Sequence, residues 1–378
     1  FLYGNFVIGF GVLMVPGALN DITHDLGITV AQAGFLITAG SVLMCLSAPL
    51  FATILGKRDR RQLLSWVMLW YGFAHALCAL MPDYQSILWM RVLAMVAPAI
   101  FTPQAAACIG QLAGTSNRGR AITFVFVGWS VASVAGMPTA AWIGEVFGWR
   151  VVFALLSCLS LVSAAWTSLV IPKGLAPPVM SWVAWRQTLG ANDLMMTVGV
   201  TVLSASGQFF LSAYFAPYFK HTLGTSPADL SMLFACFGAC GLIGNLLMSR
   251  QIDRIGASRC VNLCLILMSM SLLIWPLGNQ VWLAALILIP WGLGMFACNS
   301  AQQARLIQLR PALASGSAAL NTSAIYLGQA IGAAGGGWLI NQGAMNRLHL
   351  FAWVGIVLAL GLSIQAARVA QRIGKNTP

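Results

Sequence analysis

Groups able to hold a proton, a charge or a reacting atom are scarce in this chain. Its 378 residues include 20 Lys and Arg, 8 Asp and Glu, and 4 His. Arg91, in Leu88-Trp89-Met90-Arg91-Val92-Leu93, lies roughly one and a half helical turns inside an apolar run. Burying a guanidinium in such a run costs several kcal/mol unless it is paired, so Arg91 is a candidate for charge or proton chemistry. The alternative is a structural Arg bonded to carbonyls of neighbouring helices, or one that snorkels to the surface. His75 sits about two turns from the end of another apolar run, and imidazole exchanges protons near neutral pH. The carboxylates lie at the ends of the runs: Asp21, Asp25, Asp83, Glu145 and Asp229 at one set of ends, Asp59, Asp193 and Asp253 at the other. None is central. His24 and Asp25 are adjacent but terminal, and His221 and His349 stand alone. With no nucleophile–base pair or metal-ligand cluster inside the runs, an enzyme is excluded. The nine Cys sit mostly in apolar surroundings, with Cys236/Cys240 and Cys260/Cys264 four apart and no CxxC. They read as small packing residues, so no metal and no cofactor is expected.

The elements that must position these groups follow from composition. Only 7% of residues are charged and 59% are hydrophobic, against about 25% charged in a soluble domain. So few charges cannot cover a water-facing surface, which excludes a soluble enzyme, a disordered tail and a coiled coil and leaves lipid as the solvent. A span needs about 20 apolar residues. Twelve runs meet that length, near residues 1–20, 30–55, 62–81, 85–110, 119–144, 149–171, 193–219, 227–249, 260–278, 281–304, 315–341 and 348–368. They are long and do not alternate, so they read as helices rather than barrel strands. Residue 1 already lies in an apolar stretch, so the chain is expected to be trimmed at its N-terminus.

The longest polar break, 172–192, holds Pro172, Lys173, Gly174, Pro177 and Pro178. It divides the chain into an N-terminal six-helix bundle (1–171), a linker (172–192) and a C-terminal six-helix bundle (193–378). An internal repeat supports that division. Leu26-Gly27 to Arg61 aligns with Leu223-Gly224 to Ser258 at a constant offset of 197, and Arg118-Gly119 with Ser315-Gly316 at the same offset. Two parallel six-helix repeats are a transporter architecture. The net charge of +12 would suggest nucleic acid in a soluble protein. Here sixteen of the twenty basic residues fall on the side of the break between spans 2 and 3, against Arg150, Lys220 and Arg347 opposite and Arg91 within a span. Basic residues concentrate on the cytoplasmic side, so both termini are expected inside, and no nucleic-acid partner is expected.

Several motifs make the chain resemble the major facilitator superfamily over nearly its whole length. The loop between spans 2 and 3 reads Ala52-x-x-x-Gly56-Lys57-x-Asp59-Arg60-Arg61, against a family pattern G-x-x-x-D-R-x-G-R-R. The basic residues match; the Gly and Asp of the pattern do not. The equivalent loop of the second half, Ser249-x-x-x-Asp253-Arg254-x-Gly256, keeps the Asp-Arg-x-Gly core. The resemblance implies gating roles for Lys57, Arg60, Arg61, Asp253 and Arg254, with positive-inside anchoring as the alternative. Span 5 carries Gly128, Gly136, Pro138 and Gly144, followed by Gly148-Trp149-Arg150-x-x-Phe153. This is similar to the antiporter motif of drug:proton antiporters, in the arabinose-efflux-permease-like branch. Pro16-x-x-Leu19-x-x-Ile22-x-x-Asp25-Leu26-Gly27 points the same way. Gly238-x-x-Gly241-x-x-Gly244 follows no strand and lies in a span, so it is not a phosphate loop. Asn321-Thr322-Ser323 lies in a span and is not read as a glycosylation site.

The resemblance implies an all-α membrane protein of twelve transmembrane helices in two pseudo-symmetric six-helix bundles, in a bacterial inner membrane. It implies a small-molecule substrate, the lipid bilayer and a coupling proton as partners, and a monomer. Proton-coupling candidates are Arg91, Asp21, Glu145 and His75, although a packing role for His75 is favoured because the third span lies peripherally in the family. The family's solute site lies near the midplane at the interface of its halves. Polar and aromatic candidates at that depth are Asn5, Phe10, Gln104, Trp129, Gln208, Phe209, Tyr214, Asn299, Gln302, Asn321, Tyr326 and Gln329. Each could instead serve interhelical bonding or lipid contact. As an uncharged set they suit a neutral or lipophilic solute, whether drug, sugar or nucleoside-like. The expected function is export by alternating access with proton antiport. A facilitator or importer without proton coupling, or a transporter-like receptor, is the alternative.

Overall fold

The computed structural model describes residues 1–55, 58–112, 124–125, 127–175 and 182–376, with the side chains of 52, 53, 110, 182–184, 253, 312, 315 and 371–376 excepted. Lys57 therefore lies outside the described residues, as does the side chain of Asp253. Helical stretches fall on all twelve apolar runs, and no strand occurs among the described residues. Among the described residues, eight helical segments are each long and apolar enough to cross a membrane, and one bent pair makes a ninth.

The breaks within the runs have local causes. The first run forms α1 (Leu2–Gly17) and α2 (Leu19–Leu26), bent by 58°. Pro16, just before the bend, has no amide to donate. The fourth run is α5 (Tyr84–Ala94) and α6 (Val96–Leu112). Pro98 cannot donate to Ala94 O, which lies at that break. In the fifth run a π-helical turn, Ala132–Gly136, leads into α7 (Met137–Phe147). Pro138 stands just beyond this turn, and π turns inside α-helices often mark functional positions. Between these lie α3 (Val30–Ile54) and α4 (Arg60–Leu80), and α8 (Trp149–Val170) follows. The linker contains α9 (Trp182–Leu189). The second half consists of α10 (Asn192–Ser212), α11 (Phe215–Leu223), α12 (Pro227–Ile255), α13 (Ala257–Leu273), α14 (Val281–Leu309), α15 (Ala314–Asn341) and α16 (Leu348–Asn376).

The repeat extends to individual capping bonds. Gly27 and Gly224, 197 apart, have φ of 60° and 63°. Two residues on, the Thr29 hydroxyl accepts from Gln32 N at 3.2 Å, and Gln32 Oε1 accepts from Thr29 N at 2.9 Å. At the same offset Ser226 Oγ accepts from Asp229 N at 3.2 Å, and Asp229 Oδ2 accepts from Ser226 N at 3.0 Å. Each pair is a capping box that satisfies amides left open at a helix start. The offset also carries Tyr84 and Leu112, the ends of the α5–α6 pair, onto Val281 and Leu309, the ends of α14.

Two compact units divide the chain: Phe1–Val179 with Phe215–Ala235, and Met180–Tyr214 with Cys236–Pro378. In the first, α4 packs along α8, and α1 touches α6, α7 and α8. A Cβ on Gly128 would lie 2.4 Å from Leu2 O and 2.7 Å from Phe6 N, so hydrogen alone lets the fifth run meet α1 backbone to backbone. Gly136 faces Phe10, and Gly144 faces Ala18. In the second unit α10 packs against α15 and α16, and a Cβ on Gly332 would lie 2.3 Å from Ser206 O. Small residues give membrane helices this close approach. Large apolar side chains point outward, Trp66 being 70% exposed and Leu169 79%, as lipid-facing positions require.

Candidate functional site

In the first unit, α4 and α5 form a hairpin that brings His75 and Arg91 together. Arg91 Nη1 lies 2.9 Å from His75 Nε2, and its Nη2 donates to Gly11 O on α1 at 2.5 Å. His75 Nδ1 lies 2.7 Å from Tyr71 O. A guanidinium only donates, so Nε2 must accept, and Nδ1 carries the ring proton and donates to Tyr71 O. The imidazole is therefore neutral, in one tautomer. The Tyr71 ring meets it edge-on at 4.3 Å, and Phe153 of α8 lies 5.8 Å away. Arg91 and His75 are both buried, so Arg91 does not snorkel. Gly11 makes room for this arrangement: a Cβ there would lie 1.9 Å from the Tyr71 hydroxyl.

At one end of this unit, α2 clamps the start of α8. Asp21 accepts from Trp149 N, and Asp25 pairs with Arg150. Asp25 Oδ2 also accepts from Trp149 Nε1 at 2.9 Å. Arg150 covers the Trp149 ring at 4.2 Å and donates to Met81 O at 3.3 Å. The acidic end of the first run and the Gly148-Trp149-Arg150 segment thus form one joint. Glu145 Oε1 accepts from Lys220 Nζ at 2.8 Å, while Glu145 Oε2 is buried without a hydrogen-bond partner.

The loop between spans 2 and 3 forms the opposite joint. Asp59 caps α4 by accepting from Gln62 N at 3.3 Å, and its Oδ2 accepts from Gly174 N at 2.5 Å. Arg60 N donates to Leu175 O at 3.0 Å. The buried Arg60 guanidinium donates to Leu55 O and Arg58 O, each at 2.8 Å, closing the end of α3. One short loop thereby ties the ends of α3, α4 and α8. Bonding to the Gly174 amide holds the Asp59 carboxyl below the usual carboxylate range. Arg61 is half-buried and Arg254 exposed.

The uncharged candidates separate between the units. In the first, Thr102 Oγ1 donates to Asn5 Oδ1 at 2.8 Å. Gln104 and Phe10 are buried, and the indole N–H of Trp129 is buried without a partner. In the second, Thr201 Oγ1 donates to Asn321 Oδ1 at 2.7 Å, and Asn321 Nδ2 to Gln303 Oε1 at 2.8 Å. Gln302 Nε2 donates to Thr197 O at 2.7 Å and to Thr201 Oγ1 at 3.2 Å, leaving its Oε1 buried and unpartnered. Three helices, α10, α14 and α15, thus share one neutral hydrogen-bond chain. Gln208, Phe209, Tyr326 and Gln329 are buried and Asn299 half-buried. Tyr214 is committed to Ala333 O at 2.6 Å. Sequence reading passed over Thr197 and Thr201, yet Thr197, Thr201, Ser204 and Gln208 follow the i, i+4, i+7, i+11 spacing of one helix face. It counted Arg305 only among the sixteen basic residues of one side, yet Arg305 is buried and donates to Ser363 Oγ at 2.9 Å and Ser363 O at 3.0 Å.

A family model described as Major Facilitator Superfamily matches residues 1–200 and 197–372. The chain belongs to the major facilitator superfamily. It is an integral membrane transporter and not an enzyme. The inner membrane transport protein YdhP of Escherichia coli strain K12 is 28% identical over 343 residues, covering 90% of this chain and 87% of that one. A Pasteurella multocida protein named as a probable sugar efflux transporter is 23% identical over 362 residues, covering 95% and 88%. Among solved structures, the D-xylose–proton symporter aligns with a TM-score of 0.75 at 15% identity over 96% of this chain and 95% of that one. A bacterial homologue of the human lysosomal transporter Spinster, inward-facing and unoccupied, aligns with a TM-score of 0.73 at 15% identity over 98% and 96%. These two likenesses give the twelve-helix fold of this transporter.

Proposed function

We propose that this transporter exports small neutral or lipophilic organic solutes by alternating access, in exchange for protons. The observation that carries the solute class is the Thr201–Asn321–Gln303–Gln302 chain. It is built of hydroxyl and amide groups, contains no charge, and leaves one buried acceptor, Gln302 Oε1, without a donor. A solute hydroxyl or N–H would satisfy that acceptor, whereas the members of this chain offer a phosphate or dicarboxylate no cation. The names of the E. coli and P. multocida relatives support a transport protein of the inner membrane and an efflux direction. The placement of the basic residues supports cytoplasmic termini. We take the bundles as 1–171 and 193–378, joined by 172–192, in a monomer.

A thermal-shift screen of the purified chain against drugs, sugars and nucleosides tests the solute class. A stabilising neutral compound is expected, and its effect should fall in Trp129→Ala and Gln208→Ala. Stabilisation by anions alone would overturn it. An imposed pH gradient across proteoliposomes should then drive uptake of that compound. The lack of a central carboxylate favours one rival, a facilitator, and counterflow that ignores any pH gradient would establish it.

A further inference from the structure

Cys236 and Cys240 stand one turn apart on α12, and their thiols hydrogen-bond to each other. Cys236 Sγ also lies 4.0 Å from Ala285 O of α14. A Cβ on Gly292 of α14 would lie 2.7 Å from Cys240 Cβ, so the missing side chain leaves Cys240 its place where the two helices meet. Both thiols are half-buried. Ile243 and Leu247 continue the face that carries them, and both are exposed. Cys260 and Cys264 have the same spacing on α13 but are buried, and Cys45 and Cys158 are each the lone Cys of their helix. Cys236 and Cys240 are therefore the one accessible pair of neighbouring thiols among the described residues.

Side chains four apart on a helix have Cβ atoms about 5–6 Å apart. A disulfide needs about 3.5–4.5 Å, so this pair persists as two thiols that a third atom can bridge. Sulfur selects a soft partner. A bare metal ion would have to shed its water and carry its charge into a span, which is costly. A reagent that is neutral before and after it takes both sulfurs escapes that cost, and trivalent arsenic with one organic substituent is of this kind.

We propose that Cys236 and Cys240 form a binding site for neutral, monosubstituted trivalent arsenicals, which reach it along the exposed apolar face of α12. The reaction is a condensation. Two As–S bonds form, the As=O bond of R–As=O breaks, and both thiol protons leave with the oxygen as one water. Arsenic stays trivalent, so no oxidant or reductant takes part, and the adduct is uncharged. Binding also removes the Cys236 proton that points toward Ala285 O. The site depends on neither the solute class nor the antiport reading above.

Phenylarsine oxide is the probe, added to the full chain in nanodiscs. The intact mass should rise by one phenylarsenic group. A dithiol such as ethanedithiol should strip it, whereas a monothiol should not, because a second sulfur on the same helix re-forms each broken bond within the molecule. Cys236→Ser and Cys240→Ser should each cut the monothiol-resistant adduct at least about tenfold, and Cys260→Ser should leave it unchanged. The chain has nine Cys. In treated wild type, a maleimide added after unfolding should modify the others and spare Cys236 and Cys240 together, as read by peptide mass mapping. That result decides by itself should a variant not fold. No adduct, an adduct that a monothiol removes, one that persists in Cys236→Ser, or protection of other Cys overturns the proposal.

Discussion

Thr201 and Asn321 stand 120 positions apart and share a 2.7 Å hydrogen bond inside the second unit. The bond matters because each partner holds a further group: Thr201 accepts from Gln302, and Asn321 donates to Gln303. In Asn321→Ala, the Thr201 hydroxyl and Gln303 Oε1 both lose this partner. Hydrogen bonds between membrane helices are worth about 0.6 kcal/mol on average and up to about 1.7. Thermal unfolding in nanodiscs should show a loss in that range for Asn321→Ala and a smaller loss for Thr201→Val. A double-mutant cycle should give a coupling of about 0.6 kcal/mol. Strict additivity would mean that the bond does not form.

Gly128 predicts a steric effect that polarity does not enter. In Gly128→Ala the new methyl meets backbone atoms of Leu2 and Phe6, which cannot rotate away. Overpacking of this kind costs about 1–3 kcal/mol. Gly361 is a matched control: it is also helical, and a Cβ there meets nothing within 4 Å. Gly361→Ala should be neutral or stabilising by up to about 1 kcal/mol through helix propensity. Equal effects at the two positions, read from thermal midpoints, would refute the close contact of the fifth run with α1.

Much of this fold was legible because it rests on local rules. The 197-residue offset could be read from Leu26-Gly27 and Leu223-Gly224 alone, and it reappears as two left-handed glycines and two capping boxes. The bend near Pro16 and the break before Pro98 rest on proline too, although the runs there were read as unbroken spans. Long-range partners were not legible. Asn5 and Thr102 lie 97 apart, and nothing in either segment selects the other. The loop between spans 2 and 3 shows a subtler limit. Matching it to a family pattern stressed a missing Asp. In the folded chain Asp59, at a different position of the loop, joins α4 to the end of α8. His75 and Arg91 were each noted singly. Their pairing needed the depth of both helices, which follows only once the turn at 81–83 fixes the hairpin.

Asp59 makes the stability of its joint depend on pH. Its carboxyl is held below the usual range by Gly174 N and Gln62 N. A lowered folded value means that the stabilisation is complete above the unfolded value of about 3.9. It is lost as pH falls through the lower, folded value. Wild type should therefore lose thermal stability below about pH 4 faster than Asp59→Asn, whose amide does not titrate. Identical acid profiles would show that the Gly174 contact is absent.

Glu145 and Lys220 supply the last test. Their 2.8 Å ion pair connects α7, of the first repeat, to α11, which follows the linker in the second. Lys220 is exposed and Glu145 mostly buried, so the pair is only partly screened by water. Exposed pairs are worth about 0–1 kcal/mol, and Lys220→Ala should shift the thermal midpoint little. Function should respond more under the alternating access proposed above, which requires helix ends on one side to part and rejoin. A short bifunctional thiol reagent across Glu145→Cys/Lys220→Cys should stop solute exchange in vesicles, and a cleavable reagent should restore it on reduction. Exchange that continues at full rate with the two positions cross-linked would show that α7 and α11 stay together throughout the cycle.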